Sequence, residues 1–110
     1  MTFLITGGTG FIGKNLVNEL LKRNNRLIII SRKKRPSKYL KQKNIHWIKH
    51  DLSKKKLNIK KINDLKVIHL LGSHNDKDEI NLNASNEISL INLFISLNGN
   101  FKKFIYISSH

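Results

Sequence analysis

Four of the six glycines in this 110-residue chain fall within seven positions, at Gly7, Gly8, Gly10 and Gly13. They follow a short apolar run, Thr2 to Thr6. They precede Phe11 to Arg23, in which Ile12, Leu16, Val17, Leu20 and Leu21 lie on one helical stripe. The pattern predicts a strand, a tight turn and an amphipathic helix. Gly7 permits a sharp exit from the strand, Gly10 lets a ligand approach the backbone without meeting a Cβ, and Gly13 lets the helix pack close to the strands. Such a turn directs backbone N–H groups, and the positive end of a helix, at an anion.

A G-x-G-x-x-G string is weak evidence alone, but a strand before it and a helix after it supply the context that gives it meaning. Thr6, Gly7, Gly10, Phe11, Ile12 and Gly13 are then candidates to hold the pyrophosphate of a dinucleotide. The bland alternative is a glycine-rich turn kept only for packing. A nucleoside-triphosphate loop is excluded, because Lys14 directly after Gly13 does not fit G-x-x-x-x-G-K-[S/T]. About 20 residues beyond such a turn, a site preferring NAD places Asp or Glu against the ribose hydroxyls. This chain has Ser31-Arg32-Lys33-Lys34-Arg35 there. The Ser31 hydroxyl and the Arg32 guanidinium suit a 2′-phosphate, which favours NADP(H) over NAD(H); a solvated basic loop is the alternative.

Leu27 to Ile30 contains three consecutive isoleucines and predicts a second strand, buried on both faces. A helical turn over Tyr39 to Lys43 and a third strand over Ile45 to Lys49 follow. Ser53 to Asp64 reads as a poor short helix or an irregular crossover, and Lys66 to Leu71 as a fourth strand. From Ile80 to Leu97, apolar residues at 84, 88, 91 and 95, with 90, 94 and 97 beside them, predict a long helix apolar over most of its girth. Asn98-Gly99-Asn100 stops it, and Phe104 to Ser108 is a fifth strand. Strands alternating with helical segments predict an α/β fold: a Rossmann-type doubly wound parallel sheet of order 3-2-1-4-5, forming one domain over residues 1–110. Ligands of such sheets bind beyond the carboxyl ends of the strands, where the order reverses. Gly7 and Gly72 fall there.

The formal charge is +14, from 21 basic and 7 acidic residues, an excess that attracts polyanions. Seventeen of the basic residues are Lys, and Lys, Asn and Ile fill 47 of 110 positions, so coding bias explains much of the excess. With no Arg-rich helix, aromatic RNA-binding motif or helix-turn-helix pattern, nucleic-acid binding is disfavoured. The chain contains no cysteine, which removes disulfides and thiolate metal sites and makes a reducing cytoplasm the simplest expectation. The apolar stretch Ile88 to Leu97 is interrupted by Ser89, Asn92 and Ser96 and falls short of the roughly 18 residues of a membrane span. His46 and His50 sit four apart in a strand-to-loop stretch with Asp51 as the nearby carboxylate, so no metal site is expected.

The sequence resembles the extended short-chain dehydrogenase/reductase family, the NAD(P)-dependent sugar epimerases and dehydratases. The likeness rests on T-G-x-x-G-x-x-G at Thr6 to Gly13, on Asp51-Leu52 after the third strand, and on His69-Leu70-Leu71-Gly72, similar to the family's His-Leu-Ala-Ala. It implies that Asp51 hydrogen-bonds the adenine amino group with Leu52 beside the ring, and that Leu70, Leu71 and Gly72 line the adenosine and pyrophosphate path. Leu71 departs from the family alanine. Asn86 to Leu93 resembles the family helix motif Asn-Val-x-Gly-Thr-x-Asn-Leu, with Asn83 as an alternative to Asn86 and Ser89 in the glycine position. Lys103 to Ser109 is similar to the family's fifth strand, which implies that Ser109 contacts the substrate carbonyl or hydroxyl during hydride transfer.

The resemblance further implies a Tyr general acid with a Lys four residues later, beyond the fifth strand. The only tyrosines are Tyr39 and Tyr106, and Tyr106 is followed four residues on by His110. Tyr39 has Lys43, but the pair lies between the second and third strands, on the adenosine side. His69, inside an apolar strand, reads as a packed core histidine, and Trp47 as core or rim. The expectation is the NAD(P)-binding part of an epimerase, dehydratase or reductase acting on a nucleotide-sugar, truncated before the sixth strand, that binds cofactor without turnover. A non-catalytic dinucleotide-binding or redox-sensing module and a non-functional gene fragment are the alternatives. The resemblance also makes the 80–97 helix a candidate homodimer surface.

Overall fold

The five segments rich in β-branched and apolar residues are strands in the computed structural model, which describes residues 1–7, 10–70 and 79–107, with side chains of 79–85 excepted. They are β1 (Thr2–Thr6), β2 (Arg26–Ser31), β3 (Ile45–Lys49), β4 (Lys66–Leu70) and β5 (Lys103–Ile107). All neighbours pair in parallel, in the order β3-β2-β1-β4-β5. This is the expected doubly wound Rossmann-type α/β sheet. Parallel pairing requires a crossover between consecutive strands, and the crossovers are where the two faces receive their cover.

Helix α1 (Phe11–Lys22) covers one face and helix α2 (Glu79–Leu97) the other. Alternation along β1 makes the division explicit. Ile5 packs in a cluster with Val17, Leu27, Ile29, Tyr39, Ile45, Ile68 and Leu70. Leu4 packs with Ile30, Leu52, Leu65, Val67, Leu93 and Leu97. Residues one apart on a strand point to opposite faces, so one short apolar run feeds both cores.

Two local readings change, and the choice between helix and irregular crossover at Ser53 to Asp64 falls to the crossover. Ile12 was placed on the inner stripe of α1, but it is 44% exposed; Gly13 and Val17 are the buried positions, with Leu16, Leu20 and Leu21 packed at the margin. The turn expected at Tyr39 to Lys43 is a short 3-10 segment, Ser37–Tyr39, directly after Pro36. No regular element forms between Ser53 and Asp64. There Leu57, Ile59 and Ile62 alternate inward onto the α2-side core while Lys54, Lys55, Lys56, Lys60 and Lys61 face solvent. No helix among the described residues is long and apolar enough to cross a membrane.

Candidate functional site

The carboxyl ends of β1 and β4 lie side by side, with Thr6 opposite His69. Two successive contacts join them. The Thr6 hydroxyl and His69 Nδ1 are 2.5 Å apart, and both side chains are buried. One residue further, Gly7 leaves the strand at φ +73°, and a Cβ there would stand 2.7 Å from the Leu70 carbonyl oxygen. Glycine is therefore required at position 7 by conformation and by space.

The chain then reaches Gly10, the N-cap of α1, whose N–H donates to the Gly7 carbonyl at 3.3 Å. Among the described residues no side chain caps the helix, and no acidic residue occupies its first turn. The first-turn N–H groups of a helix have no intrahelical acceptor, so those of Phe11, Ile12 and Gly13 are offered at this end of the sheet. Among the described residues, a Cβ on Gly10 would meet only the Gly7 carbonyl oxygen, at the ordinary distance of 3.8 Å. The described residues give little steric reason for glycine there; an anion lying against the backbone would. Phe11, at the opening of α1, is 84% exposed. These features fit a pyrophosphate.

Ser31, the last residue of β2, is buried, and Arg32 just beyond it is exposed. The Ser31 hydroxyl accepts a hydrogen bond from the Lys33 N–H at 3.1 Å. Beyond β3, Asp51 accepts from both the N–H and the hydroxyl of Ser53, at 3.0 and 2.6 Å. The Ser53 hydroxyl holds the Asp51 carboxyl below its ordinary pKa, and the charges of Arg32 and Lys54 act in the same sense. Arg32 and Asp51, proposed on separate grounds, thus belong to one electrostatic neighbourhood. Leu52 is 6% exposed and packs in the α2-side core, so little of its side chain is left to offer a ligand. Its carbonyl accepts from Asn92 Nδ2 at 2.6 Å.

Leu70 is likewise buried, with its carbonyl and Cβ walling Gly7. Leu71, Gly72 and Ser109 lie outside the described residues, as does the side chain of Asn83. Burial lowers the pKa of His69 to about 4, so the imidazole is neutral near pH 7, and its Nε2 has no partner among the described residues. It is a core histidine of the sheet, flanked by Phe104 and Tyr106. Tyr39 is 5% exposed in the α1-side core, and its hydroxyl is buried with no partner among the described residues. No cluster of three or more metal-ligating side chains occurs among the described residues.

Two positioning residues escaped the sequence reading. Ser53 carried a signal, since Asp followed two residues later by Ser is a common side-chain-to-backbone turn. Asn92 falls in the helix motif read at Asn86 to Leu93, but nothing local in the sequence points to its partner, which is 40 residues away.

No curated protein matches the chain. Among solved structures, UDP-N-acetylglucosamine 4-epimerase from Bacillus cereus aligns at 24% identity and TM-score 0.68, over 96% of this chain and 36% of that one. UDP-galactose 4-epimerase aligns at 17% identity and TM-score 0.76, over 99% and 38%. The Bordetella bronchiseptica enzyme WbmG, solved in complex with NAD, aligns at 18% identity and TM-score 0.71, over 96% and 36%. At these identities the likeness is one of fold, and the chain spans less than two fifths of the length of each of the three proteins. The profile of the NAD dependent epimerase/dehydratase family matches residues 3–110, nearly the whole chain. The glycine turn, the order of the five strands and this match together make the chain a member of the NAD-dependent epimerase/dehydratase family.

Proposed function

We propose that this chain binds a dinucleotide across the carboxyl ends of β1, β2 and β3, as the cofactor-holding part of an epimerase, dehydratase or reductase acting on nucleotide-sugars. The observation that carries this is the Gly7 turn: a left-handed residue walled by Leu70, leading to a helix N-terminus that no side chain among the described residues caps. Thr6, Gly7, Gly10, Phe11, Ile12 and Gly13 hold the pyrophosphate, largely through backbone N–H groups. Asp51 takes the adenine amino group, with the small exposed part of Leu52 beside the ring and Leu70, Leu71 and Gly72 along the adenosine and pyrophosphate path. The family resemblance assigns Ser109 to the substrate carbonyl or hydroxyl. The cofactor supplies hydride transfer when bound; the residues of this chain bind and orient it.

NADP(H) is the preferred form. β2 ends without a carboxylate for the ribose hydroxyls, and Arg32 is exposed beside Ser31, where a 2′-phosphate would gain a charge-assisted hydrogen bond. Calorimetric titration of the 110-residue chain should show NADPH bound about tenfold more tightly than NADH. NADH bound equally or more tightly overturns the preference, and binding of neither overturns the site. The chain should not turn over a nucleotide-sugar, since neither tyrosine is placed to serve as the general acid beside the nicotinamide; measurable epimerase or dehydrogenase turnover would refute that. Its setting is the cytoplasm, and α2 is a surface for self-association.

A further inference from the structure

Four consecutive cations, Arg32 to Arg35, follow β2, and the structure treats them differently. Arg35 is spent within the protein: its guanidinium donates to the carbonyls of Tyr39 and Gln42. Arg32, Lys33 and Lys34 are exposed. The backbone carrying these three is tied at both ends. The Ser31 carbonyl accepts from the His50 N–H at 2.7 Å, and the Ser31 hydroxyl accepts from the Lys33 N–H at 3.1 Å. The Lys33 carbonyl accepts from the indole Nε1–H of Trp47 at 2.9 Å.

Trp47 is well fitted to anchor a loop. It lies on β3 opposite Ile29, its half-buried ring packs against the α1-side core, and it stands 6.3 Å from the ring of Tyr39. Its N–H is therefore aimed from a paired strand and cannot follow the loop if the loop moves. Holding cations in place before a ligand arrives removes ordering cost from binding. That benefit falls only on a ligand that uses those cations.

We propose that Trp47 is a positioning residue for dinucleotide selection: its indole N–H holds the Arg32–Lys34 loop in the form that receives a 2′-phosphate. This rests on the reading that the exposed loop after β2 faces the adenosine ribose. The Trp47→Phe variant keeps the aromatic packing and removes the donor. Titration of the 110-residue chain should show NADP+ affinity falling about fivefold in Trp47→Phe while NAD+ affinity stays within about twofold. Equal losses for both dinucleotides, or no loss for either, overturn the proposal. A wild-type chain with no preference for NADP+ overturns the underlying reading; an unaltered preference in Trp47→Phe overturns only the role of Trp47. Trp47 is the sole tryptophan, so its emission gives a second measurement that needs no variant. NADP+ should shift the wild-type emission and NAD+ should not; the same shift with both refutes the proposal even if the variant does not fold.

Discussion

A methyl group at position 7 would meet the Leu70 carbonyl oxygen at 2.7 Å and its Cβ at 2.9 Å, on a backbone at φ +73°. At Gly99 the backbone is equally left-handed, φ +76°, but an added Cβ would meet no other described residue within 4 Å apart from its chain neighbours. The two positions therefore separate conformational cost from steric cost. Gly99→Ala should lose about 1 kcal/mol in urea unfolding, the cost of the left-handed residue alone. Gly7→Ala should lose more than about 2 kcal/mol and weaken dinucleotide binding as well. Equal losses would mean that Leu70 yields and is not a wall. His69 makes a pH prediction. Its folded pKa is about 4 against an ordinary 6.5, so between those values the unfolded chain binds the extra proton. Its contribution is whole above pH 6.5 and is lost as the pH falls toward 4, up to about 3 kcal/mol. Urea midpoints of wild type and His69→Asn at pH 7.5 and 5 test it; an equally steep loss in the variant would assign the slope to other groups.

At the scale of elements, α1 and the five strands were legible because hydrophobic period and glycine spacing are local properties. Strand bounds differ from the sequence expectation by one residue, at both ends of β2 and at the start of β5. Helix α2 was legible as a helix but not as an oriented one. Its apolar residues surround it, and the structure buries Leu93, Ser96 and Leu97 while leaving Ile88, Ile91 and Ile95 exposed by 45, 56 and 51%. A polar residue sits on the inner side because it has work there. The Ser96 hydroxyl donates to the Asn92 carbonyl and accepts from the Leu57 N–H at 2.8 Å, fastening the irregular 53–65 crossover to the helix. The outward stripe of Ile88, Ile91 and Ile95 is the surface proposed for self-association. Replacing Ile91 and Ile95 together by Gln should leave unfolding within about 0.5 kcal/mol of wild type and shift sedimentation toward monomer. A wild-type chain that already sediments as a monomer would rule that use out.

At the scale of the whole molecule, the sequence by itself determined the α/β class, the 3-2-1-4-5 order, the glycine turn and the basic segment after β2. Each follows from short-range patterning or from the handedness of parallel crossovers, which leave few arrangements open. Only the tertiary structure decided which candidates meet. It brought Arg32 into the neighbourhood of Asp51, spent Arg35 on loop carbonyls, buried Leu52 and Tyr39 in the two cores, and joined Thr6 to His69 across 63 residues. It also chose the face of α2 that turns inward. These outcomes depend on packing between segments distant in sequence, where several apolar or charged residues compete for the same place. A local pattern records that such residues are present, and the assembled sheet determines which of them reach the ligand.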